Sequence, residues 1–263
     1  MVAVLFIFGS LIGSFLNVVI LRLPKGEKLT GRSHCPNCGH ELSPLELLPI
    51  FSFLFLKGKC SSCSVKISWR YFIIEVITGL LFALSWWLLK PETGLEFVIL
   101  FRNLFVISAL IVVFVVDLEH YLILDSVTFF SLAVVVLLNI VIDLTSNTKL
   151  LSLHGHLLGG IIGAILAALP FYLLWFVSKG RWMGFGDVKL ALLLGAIFGS
   201  PVVFVNLILA VFLGTLASVF LLALKSKTLK SQIPFGTFLS LAAVVTLYWG
   251  ERLLRWYLSL LGF

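Results

Sequence analysis

Residues 190–224 form a stretch of 35 residues without a single charged side chain. A single helix of that length would extend about 52 Å, whereas the hydrocarbon core of a membrane is about 30 Å thick. Gly199, Ser200 and Pro201 provide a break, because glycine ends helices and proline is tolerated where a helix starts. The stretch therefore predicts two membrane-spanning helices joined by a tight turn. The first should begin near Trp182, which would place Asp187 inside it.

Similar apolar runs occupy most of the chain. Of its 263 residues 60% are hydrophobic and 12% are charged, about half the charged fraction of roughly 25% that is usual in soluble domains. This composition excludes a soluble enzyme, a disordered chain and a disulfide-stapled secreted module. The runs are continuous rather than alternating, which argues against β-barrel strands. We predict an all-α polytopic bundle of about eight transmembrane helices, at residues 2–23, 71–90, 97–116, 126–145, 156–178, 182–199, 201–224 and 235–258.

The distribution of lysine and arginine predicts the orientation, because these residues concentrate in cytoplasmic loops. Residues 22–70 contain eight of the 19, and residues 179–189 and 225–230 contain three each. With eight spans these segments lie on one side, which then has 14 basic residues against five. We therefore expect both termini outside the cytosol and residues 24–70 inside it. Residues 1–23 are expected to be a retained anchor rather than a cleaved signal peptide, because they lack a basic start.

The loop of residues 24–70 contains all the cysteines, in two CxxC pairs separated by 21 residues. This spacing is typical of a zinc ribbon, in which each pair presents two thiolates to one tetrahedral ion. Gly39 follows the first pair, where a left-handed turn residue is useful. A metal would supply folding energy to a loop that is too short for its own core. The predicted ligands of a structural Zn²⁺ are Cys35, Cys38, Cys60 and Cys63.

The cysteines also allow other interpretations. They could be incidental thiols, or a redox CxxC pair that would make the chain a membrane thiol oxidoreductase. The reducing cytosol argues against structural disulfides, and four thiolates leave no open position for a catalytic zinc. His34 and His40 flank the first pair and either could replace a ligand, although they are more simply solvated loop residues.

Acidic residues in or beside the predicted spans are candidates for function, because burying a carboxylate in a membrane is costly. Four of them lie at predicted cytosolic ends of spans: Asp117, Glu119, Asp125 and Asp187. Glu75 lies one turn into the second span, where it is either functional or a hydrogen-bonded helix anchor. Four others are expected to be solvated at outer ends: Glu92, Glu96, Asp143 and Glu251.

Asp117 and Asp187 belong to separate spans whose ends could meet at the cytosolic face. Two carboxyl groups at close range share one proton, so that one can activate water while the other protonates a carbonyl. That is the chemistry of aspartic peptide hydrolysis. Gly184 and Gly186 beside Asp187 would let another segment come close to the carboxylate.

These acids have alternative interpretations as well. Asp125 would cap the helix that it opens, and Asp187 would form an ion pair with Lys189 or Arg181. The spacing of the residues is equally consistent with a proton- or ion-coupled transporter that uses Asp117 and Asp187 as proton carriers. The residues by themselves thus indicate a membrane protein with paired acids and a zinc-ribbon loop.

The ordered combination of motifs resembles the type IV prepilin peptidases, also called prepilin leader peptidase/N-methyltransferases, which are GxGD-type intramembrane aspartic peptidases. The motifs are residues 13–24 (GSFLNVVILRLP), the paired CxxC loop, residues 67–71 (ISWRY) with Glu75 and Gly79, Asp117 with Asp125, residues 184–187 (GFGD) and residues 233–236 (IPFG). The GxGD motif alone would be weak evidence. Together the motifs cover nearly the whole chain in the order of the family.

The resemblance implies the roles of the site residues. Asp117 and Asp187 match the two catalytic aspartates. The accessory candidates are Asp125, Gly184, Gly186, Lys189 and Glu75. The implied organisation is a first transmembrane helix at residues 1–23, a cytosolic zinc-ribbon-like loop at residues 24–70, and a multi-span peptidase domain at residues 71–263.

The resemblance also implies the activity. The enzyme would cut a short basic leader from prepilins or pseudopilins on the cytosolic side of the bacterial plasma membrane. It would then methylate the new N-terminal amine with S-adenosylmethionine. No nucleotide-type glycine loop is visible in the sequence, so the binding site of that cofactor stays unknown, with the cytosolic loop and Glu75 as candidates by resemblance. The expected partners are the prepilin substrates and membrane lipid, with no nucleic acid.

Overall fold

The computed structural model describes residues 1–35, 37–146, 148, 152, 155–224 and 233–262. Its helices are α1 (Val2–Arg22, extended by a 3₁₀ turn at Leu23–Lys25), α2 (Phe51–Phe55), α3 (Trp69–Leu89), α4 (Gly94–His120), α5 (Asp125–Thr145), α6 (His156–Ser178), α7 (Phe185–Phe198), α8 (Val202–Ala223) and α9 (Phe235–Leu260). Two isolated β-bridges occur in the cysteine loop, and the described residues contain no strand. The predicted all-α class is confirmed. The basic segment 225–230 lies outside the described residues.

Six of the described helices are long and apolar enough to cross a membrane, namely α1, α3, α4, α5, α6 and α8. The other two predicted spans, 182–199 and 235–258, correspond to α7 and α9. Helix α7 has 14 residues and extends about 21 Å, less than the hydrocarbon core. Helix α9 is long enough, but Glu251 and Arg252 lower its apolarity. The structure confirms a polytopic protein without confirming eight spans.

Helix α7 begins at Phe185, three residues later than the expected start near Trp182. Gly184 precedes it in an extended conformation, with φ −75° and ψ 152°, so the helix cannot continue backward through this residue. Asp187 therefore lies in the first turn of α7. The predicted break is confirmed, because α7 ends before Gly199, whose φ is +66°, and α8 begins after Pro201.

The chain divides into two compact units, Met1–Pro91 and Glu92–Phe263. In the first unit, α1 packs closely against α3 through small residues, as membrane helices commonly do. A Cβ atom at Gly13 would lie 2.8 Å from the Cα of Glu75, and one at Gly9 would lie 2.9 Å from the Cα of Gly79. The Asn17 amide donates to the Tyr71 carbonyl oxygen at 3.1 Å.

In the second unit, α7 is enclosed by its neighbours α5, α6 and α9. A helix that is apolar on every side is stable when it is buried in this way, and Leu190 and Leu194 are fully buried. The closest approach is to α6, where a Cβ atom at Gly163 would lie 2.6 Å from the Gly195 carbonyl oxygen. The short helix that carries Asp187 is thus fixed by backbone-to-backbone contact.

A polar network joins the helices at the end of the second unit where α4 and α6 begin. The Nη1 of Arg102 donates to the side-chain oxygen of Asn139 at 3.1 Å. The Asn139 amide donates in turn to the carbonyl oxygen of Ala196, at 3.0 Å. Because buried polar groups are costly unless they are hydrogen-bonded, this network fixes how α4, α5 and α7 align.

The prediction that Asp143 is solvated at an outer helix end is wrong, because its side chain is fully buried. Its carboxylate accepts the backbone N–H of His156 at 2.8 Å and that of Leu157 at 2.9 Å. These N–H groups open α6 and have no partner within the helix. The acid therefore caps α6 from a different helix.

Candidate functional site

The opposite end of the second unit brings together the two acids that the sequence singled out. Asp117 lies in the last turn of α4, Asp187 in the first turn of α7, and Thr237 in the first turn of α9. Asp117 and Asp187 are buried, at 5% and 9% exposure. The segments that carry them meet at one residue, Ile123, which lies against Gly186 next to Asp187 and against Gly236, the glycine that also meets Asp117.

The carboxylate of Asp117 is oriented by α9. Its Oδ2 accepts the backbone N–H of Thr237 at 2.7 Å and the Thr237 hydroxyl at 3.1 Å. A Cβ atom on the preceding Gly236 would lie 2.9 Å from the same oxygen. Glycine is therefore required at this position for α9 to come so close to the acid.

Ile123, in the turn between α4 and α5, connects the segments that carry the two acids. A Cβ atom at Gly186 would lie 3.0 Å from the Ile123 Cβ, and one at Gly236 would lie 2.9 Å from the Ile123 Cδ1. The side chain therefore fills the space between the start of α7 and the start of α9. The two glycines let both helix starts close around it, which draws Asp117 and Asp187 together.

Asp125 does not cap its helix. Leu124 is the N-cap residue of α5 and provides no side-chain cap. Asp125 instead accepts a hydrogen bond from the Nζ of Lys189 at 2.6 Å, with 60% of its side chain exposed. The alternative ion pair of Asp187 with Lys189 or Arg181 is also wrong for the described residues, because Lys189 binds Asp125 and Arg181 donates to the Ser178 carbonyl oxygen. Asp125 is thus a surface contact beside the buried pair.

Two buried carboxyl groups at close range can hold one proton between them. One group then accepts a proton from water, and the other donates a proton to a substrate oxygen. The same arrangement could carry a proton through a transporter, so the geometry by itself allows both chemistries.

The cysteine loop contains two turns with the same hydrogen bonding. The Cys35 N–H donates to the His40 carbonyl oxygen, and the Cys60 N–H donates to that of Val65, both at 2.9 Å. Gly39 adopts the predicted left-handed conformation, with a φ of +72°. The two turns are therefore built alike and each contains one CxxC pair, as expected of two zinc knuckles.

The four thiols converge on one point. The Sγ atoms of Cys35 and Cys63 are 3.9 Å apart, as are those of Cys38 and Cys60, and all four lie within 4.8 Å of one another. A tetrahedral zinc with Zn–S bonds of about 2.3 Å places its sulfurs about 3.8 Å apart. The residues therefore fit a closed structural zinc site. His40 is not among them, because its Nε2 lies 3.4 Å from the Glu46 carboxylate.

Glu75 is buried in the first unit at 8% exposure. Its Oε2 accepts the backbone N–H of Ile50 at 2.8 Å. The acid therefore connects α3 to the segment that leads into α2. The Cα atom of Glu75 is also the point at which Gly13 of α1 packs against α3. This matches the hydrogen-bonded helix anchor among the expectations for Glu75.

Comparison with known proteins covers nearly the whole chain. Residues 7–89 match the Bacterial Peptidase A24 N-terminal domain, and residues 104–219 match the Type IV leader peptidase family. A prepilin leader peptidase/N-methyltransferase from Pseudomonas aeruginosa is 32% identical, over 98% of this chain and 93% of the relative. This chain belongs to the type IV leader peptidase family. The resemblance inferred from the motifs is confirmed.

Further relatives agree with this membership. Proteins of the same name from Aeromonas salmonicida and Bacillus subtilis are 31% and 29% identical, over 98% and 99% of this chain and 94% and 99% of their own lengths. No solved structure matches the chain significantly. This family member is therefore a multi-pass membrane protein that matches its relatives over nearly its whole length.

Two residues at the site of this leader peptidase family member were missed by the sequence analysis. Thr237 orients Asp117, and its only signal is that it directly follows the motif of residues 233–236. Ile123 lies between the two glycine segments, and nothing in the sequence distinguishes it from its apolar neighbours Leu122 and Leu124. Both roles depend on contacts across more than 60 residues of sequence, which a local pattern does not encode.

In the cysteine loop of this family member, Glu46 contacts both turns, since its carboxylate binds Ser61 of the second and lies 3.4 Å from the Nε2 of His40 of the first. It accepts hydrogen bonds from the Ser61 hydroxyl and from the Ser43 backbone N–H, which lower the pKa of Glu46 to about 2. The ordinary value is 4.5. A depressed pKa means that ionised Glu46 stabilises the loop above about pH 4.5, and that this contribution is lost as the pH falls toward about 2.

Glu46→Gln is therefore expected to increase amide hydrogen exchange in residues 43–61 at pH 7. The difference from the wild type should shrink as the pH falls from about 4.5 to about 2, because wild-type Glu46 becomes neutral too. Glu41→Gln is the matched control, since its ion pair with Arg32 is exposed and contributes little. Equal exchange in the two variants at pH 7 would contradict the role of Glu46.

Proposed function

We propose that this chain is a membrane aspartic endopeptidase that removes the leader peptide from type IV prepilins and pseudopilins and then methylates the new N-terminal residue. The observation that carries the proposal is the position of Asp117 and Asp187, which are both buried and lie on segments that close around Ile123, in a chain of this family. Relatives that align over nearly their full length carry both activities in their name. Asp117 and Asp187 are the catalytic pair.

Hydrolysis follows from the pair of carboxyl groups. The ionised carboxylate accepts a proton from a water molecule as its oxygen attacks the carbon of the scissile peptide bond. The protonated carboxyl donates its proton to the carbonyl oxygen, which gives a tetrahedral intermediate. The intermediate collapses when the C–N bond breaks. The nitrogen takes the proton that the first carboxylate accepted from water, and a hydroxyl group of the intermediate returns a proton to the second carboxylate, which restores the pair. Thr237 positions Asp117 for these reaction steps by donating two hydrogen bonds to its carboxylate.

The site faces the cytosol of the bacterial inner membrane in this proposal. Both acids lie in terminal turns of their helices, at the height where a span meets water. The excess of lysine and arginine in residues 22–70 and 179–189 indicates that this side is cytosolic. A prepilin with its apolar helix in the membrane and its basic leader in the cytosol would bring its scissile bond to this height.

The four-cysteine loop holds a structural zinc ion in this proposal. A closed shell of four thiolates supplies folding energy and no catalytic position. The zinc therefore shapes the loop and takes no part in hydrolysis.

S-adenosylmethionine is the methyl donor that the methylation implies. It carries a sulfonium cation, which favours acidic or aromatic surroundings. A groove of about 750 Å³ in the first unit is lined by Lys57, Lys59 and Lys66 and by no acidic residue. Phe53 and Trp69 also line this groove, but its three lysines repel a cation and no carboxylate offsets them. We therefore assign no residue of the chain to the cofactor.

Cys35→Ser is expected to lower the zinc content of the purified protein from about one ion per chain to well below half. Removing one thiolate weakens a tetrahedral site strongly, because no other described group replaces it. Metal analysis after purification under reducing conditions measures this. Ser62→Ala, in the second knuckle but outside the ligand set, should retain the zinc. Absence of zinc from the wild type would contradict the site.

A structural role for the zinc loop also predicts how cleavage and methylation respond to the loss of a cysteine. The Cys35→Ser variant should methylate less while it continues to cleave, because the aspartates belong to the other unit.

A thiol oxidoreductase would instead lose all activity with the cysteines and keep it without the aspartates. A transporter would show solute flux in proteoliposomes without proteolysis, and the names of the relatives do not favour it.

One experiment tests the whole proposal. The purified protein in detergent is incubated with a prepilin and S-adenosylmethionine, and the product is weighed by mass spectrometry. Loss of the leader and gain of one methyl group is the expected result. An unchanged prepilin, with a relative from the same family active under the same conditions, would overturn the proposed function.

A further inference from the structure

A groove in the first unit has no role in the proposed chemistry. It has a volume of about 750 Å³ and lies between α2, the second cysteine knuckle and the start of α3. Its apolar lining includes Phe53, Leu54 and Trp69, and its charged lining consists of lysines only. A site with an apolar part and a cationic part fits a ligand that is itself amphipathic and anionic.

The lysines of the groove are held close together without an acidic partner. Lys59 and Lys66 face each other in an antiparallel bridge, and like charges directly opposite each other are destabilising. Lys57 lies on the same groove. Within the part of the chain that the structure describes, none of the three forms an ion pair. A bound anion would offset this repulsion.

The apolar side of the groove lies at the membrane surface. Trp69 is the first residue of α3, one of the helices long enough to span the membrane, and it is 64% exposed. Phe51, Leu54 and Phe55 on α2 are exposed as well, Phe55 at 82%. Exposed aromatic residues beside lysines are typical of the interface between lipid and water. The groove is therefore at the level of the lipid headgroups.

We infer that this groove binds the headgroup of an anionic phospholipid from the leaflet that α3 enters. Lys57, Lys59 and Lys66 contact the phosphate, and the upper part of an acyl chain lies along Leu54 and Trp69. A basic leader peptide would be repelled by the same lysines. A free phosphate ion would leave the exposed apolar side chains uncovered. The inference concerns lipid binding alone and does not depend on either proposed activity.

The test compares lipids on the full chain in detergent by native mass spectrometry. Phosphatidylglycerol should remain bound on the order of tenfold more than phosphatidylcholine, because a lysine near the membrane surface contributes substantially to binding of anionic lipid. Equal retention of the two lipids by the wild type would overturn the inference. So would displacement of phosphatidylglycerol by millimolar inorganic phosphate, which would indicate a site for free phosphate.

Two variants with the same loss of charge locate the binding. Lys59→Gln/Lys66→Gln should lower the retention of phosphatidylglycerol to that of phosphatidylcholine. Lys25→Gln/Lys28→Gln changes two lysines of the same loop outside the groove and should retain it like the wild type. An equal loss in both variants would overturn the assignment to the groove. The zinc content of both variants shows whether the knuckles are intact, and the wild-type comparison of the two lipids does not depend on either variant.

Discussion

Replacing Asp117 or Asp187 by asparagine is expected to abolish prepilin cleavage while leaving the protein inserted in the membrane. Asparagine has nearly the same shape as aspartate, so the packing of α4 and α7 should survive. It can neither accept a proton from water nor donate one to a carbonyl oxygen. The expected loss is at least about 10³-fold in the rate of leader removal, because general acid–base groups contribute factors of this size and the two acids act as a unit.

Two further variants make this test specific. Glu251→Gln changes an exposed acid near the other end of α9 and should cleave at the wild-type rate. Asp125→Asn removes the contact with Lys189 and should cost much less than Asp117→Asn, because Asp125 is an exposed contact beside the buried pair. Leader removal is measured by the change in prepilin mass. Near-normal cleavage by Asp117→Asn, or a larger loss in Asp125→Asn, would reject Asp117 as a catalytic residue.

Local sequence chemistry predicted those parts of the fold that depend on a few neighbouring residues. The break at Gly199 and Pro201 follows from the backbone preferences of glycine and proline, and the structure has it at the predicted place. The four-thiol cluster follows from the spacing of two CxxC pairs, which need only one long-range contact to meet. The ends of most apolar runs agreed with the helices within a few residues for the same reason.

The features that were missed depend on packing between distant segments. Asp143 has the sequence context of a solvated helix end, and it is buried because N–H groups at the start of α6 bind its carboxylate. Asp125 has the sequence context of a helix cap, but its carboxylate binds the ammonium group of Lys189 instead of the N–H groups that open α5. Helix α7 is shorter than a span because the extended Gly184 prevents it from starting before Phe185. Its neighbours enclose it, and hydropathy does not distinguish a lipid-facing helix from an enclosed one.

The contact between α6 and α7 gives the second large expected effect. Gly195→Ala would place a methyl group against the Gly163 carbonyl oxygen and the Ala164 Cα. Backbone atoms cannot rotate away as a side chain does, so the two helices must separate. Overpacking usually costs about 1–3 kcal/mol, and a clash with backbone is expected at the upper end of that range. The thermal unfolding midpoint in detergent should therefore fall clearly.

The same substitution should also reduce catalysis, because α7 carries Asp187 about 12 Å along the helix from Gly195. A shift of α7 changes the distance between the Asp187 and Asp117 carboxyl groups, and a displacement of about 1 Å in a catalytic group can cost about 10²-fold in rate. Gly159→Ala is the matched control on α6, since a Cβ atom there meets nothing within 4 Å and alanine favours the helix. If Gly195→Ala unfolds and cleaves like Gly159→Ala, close packing at this contact does not determine where Asp187 lies.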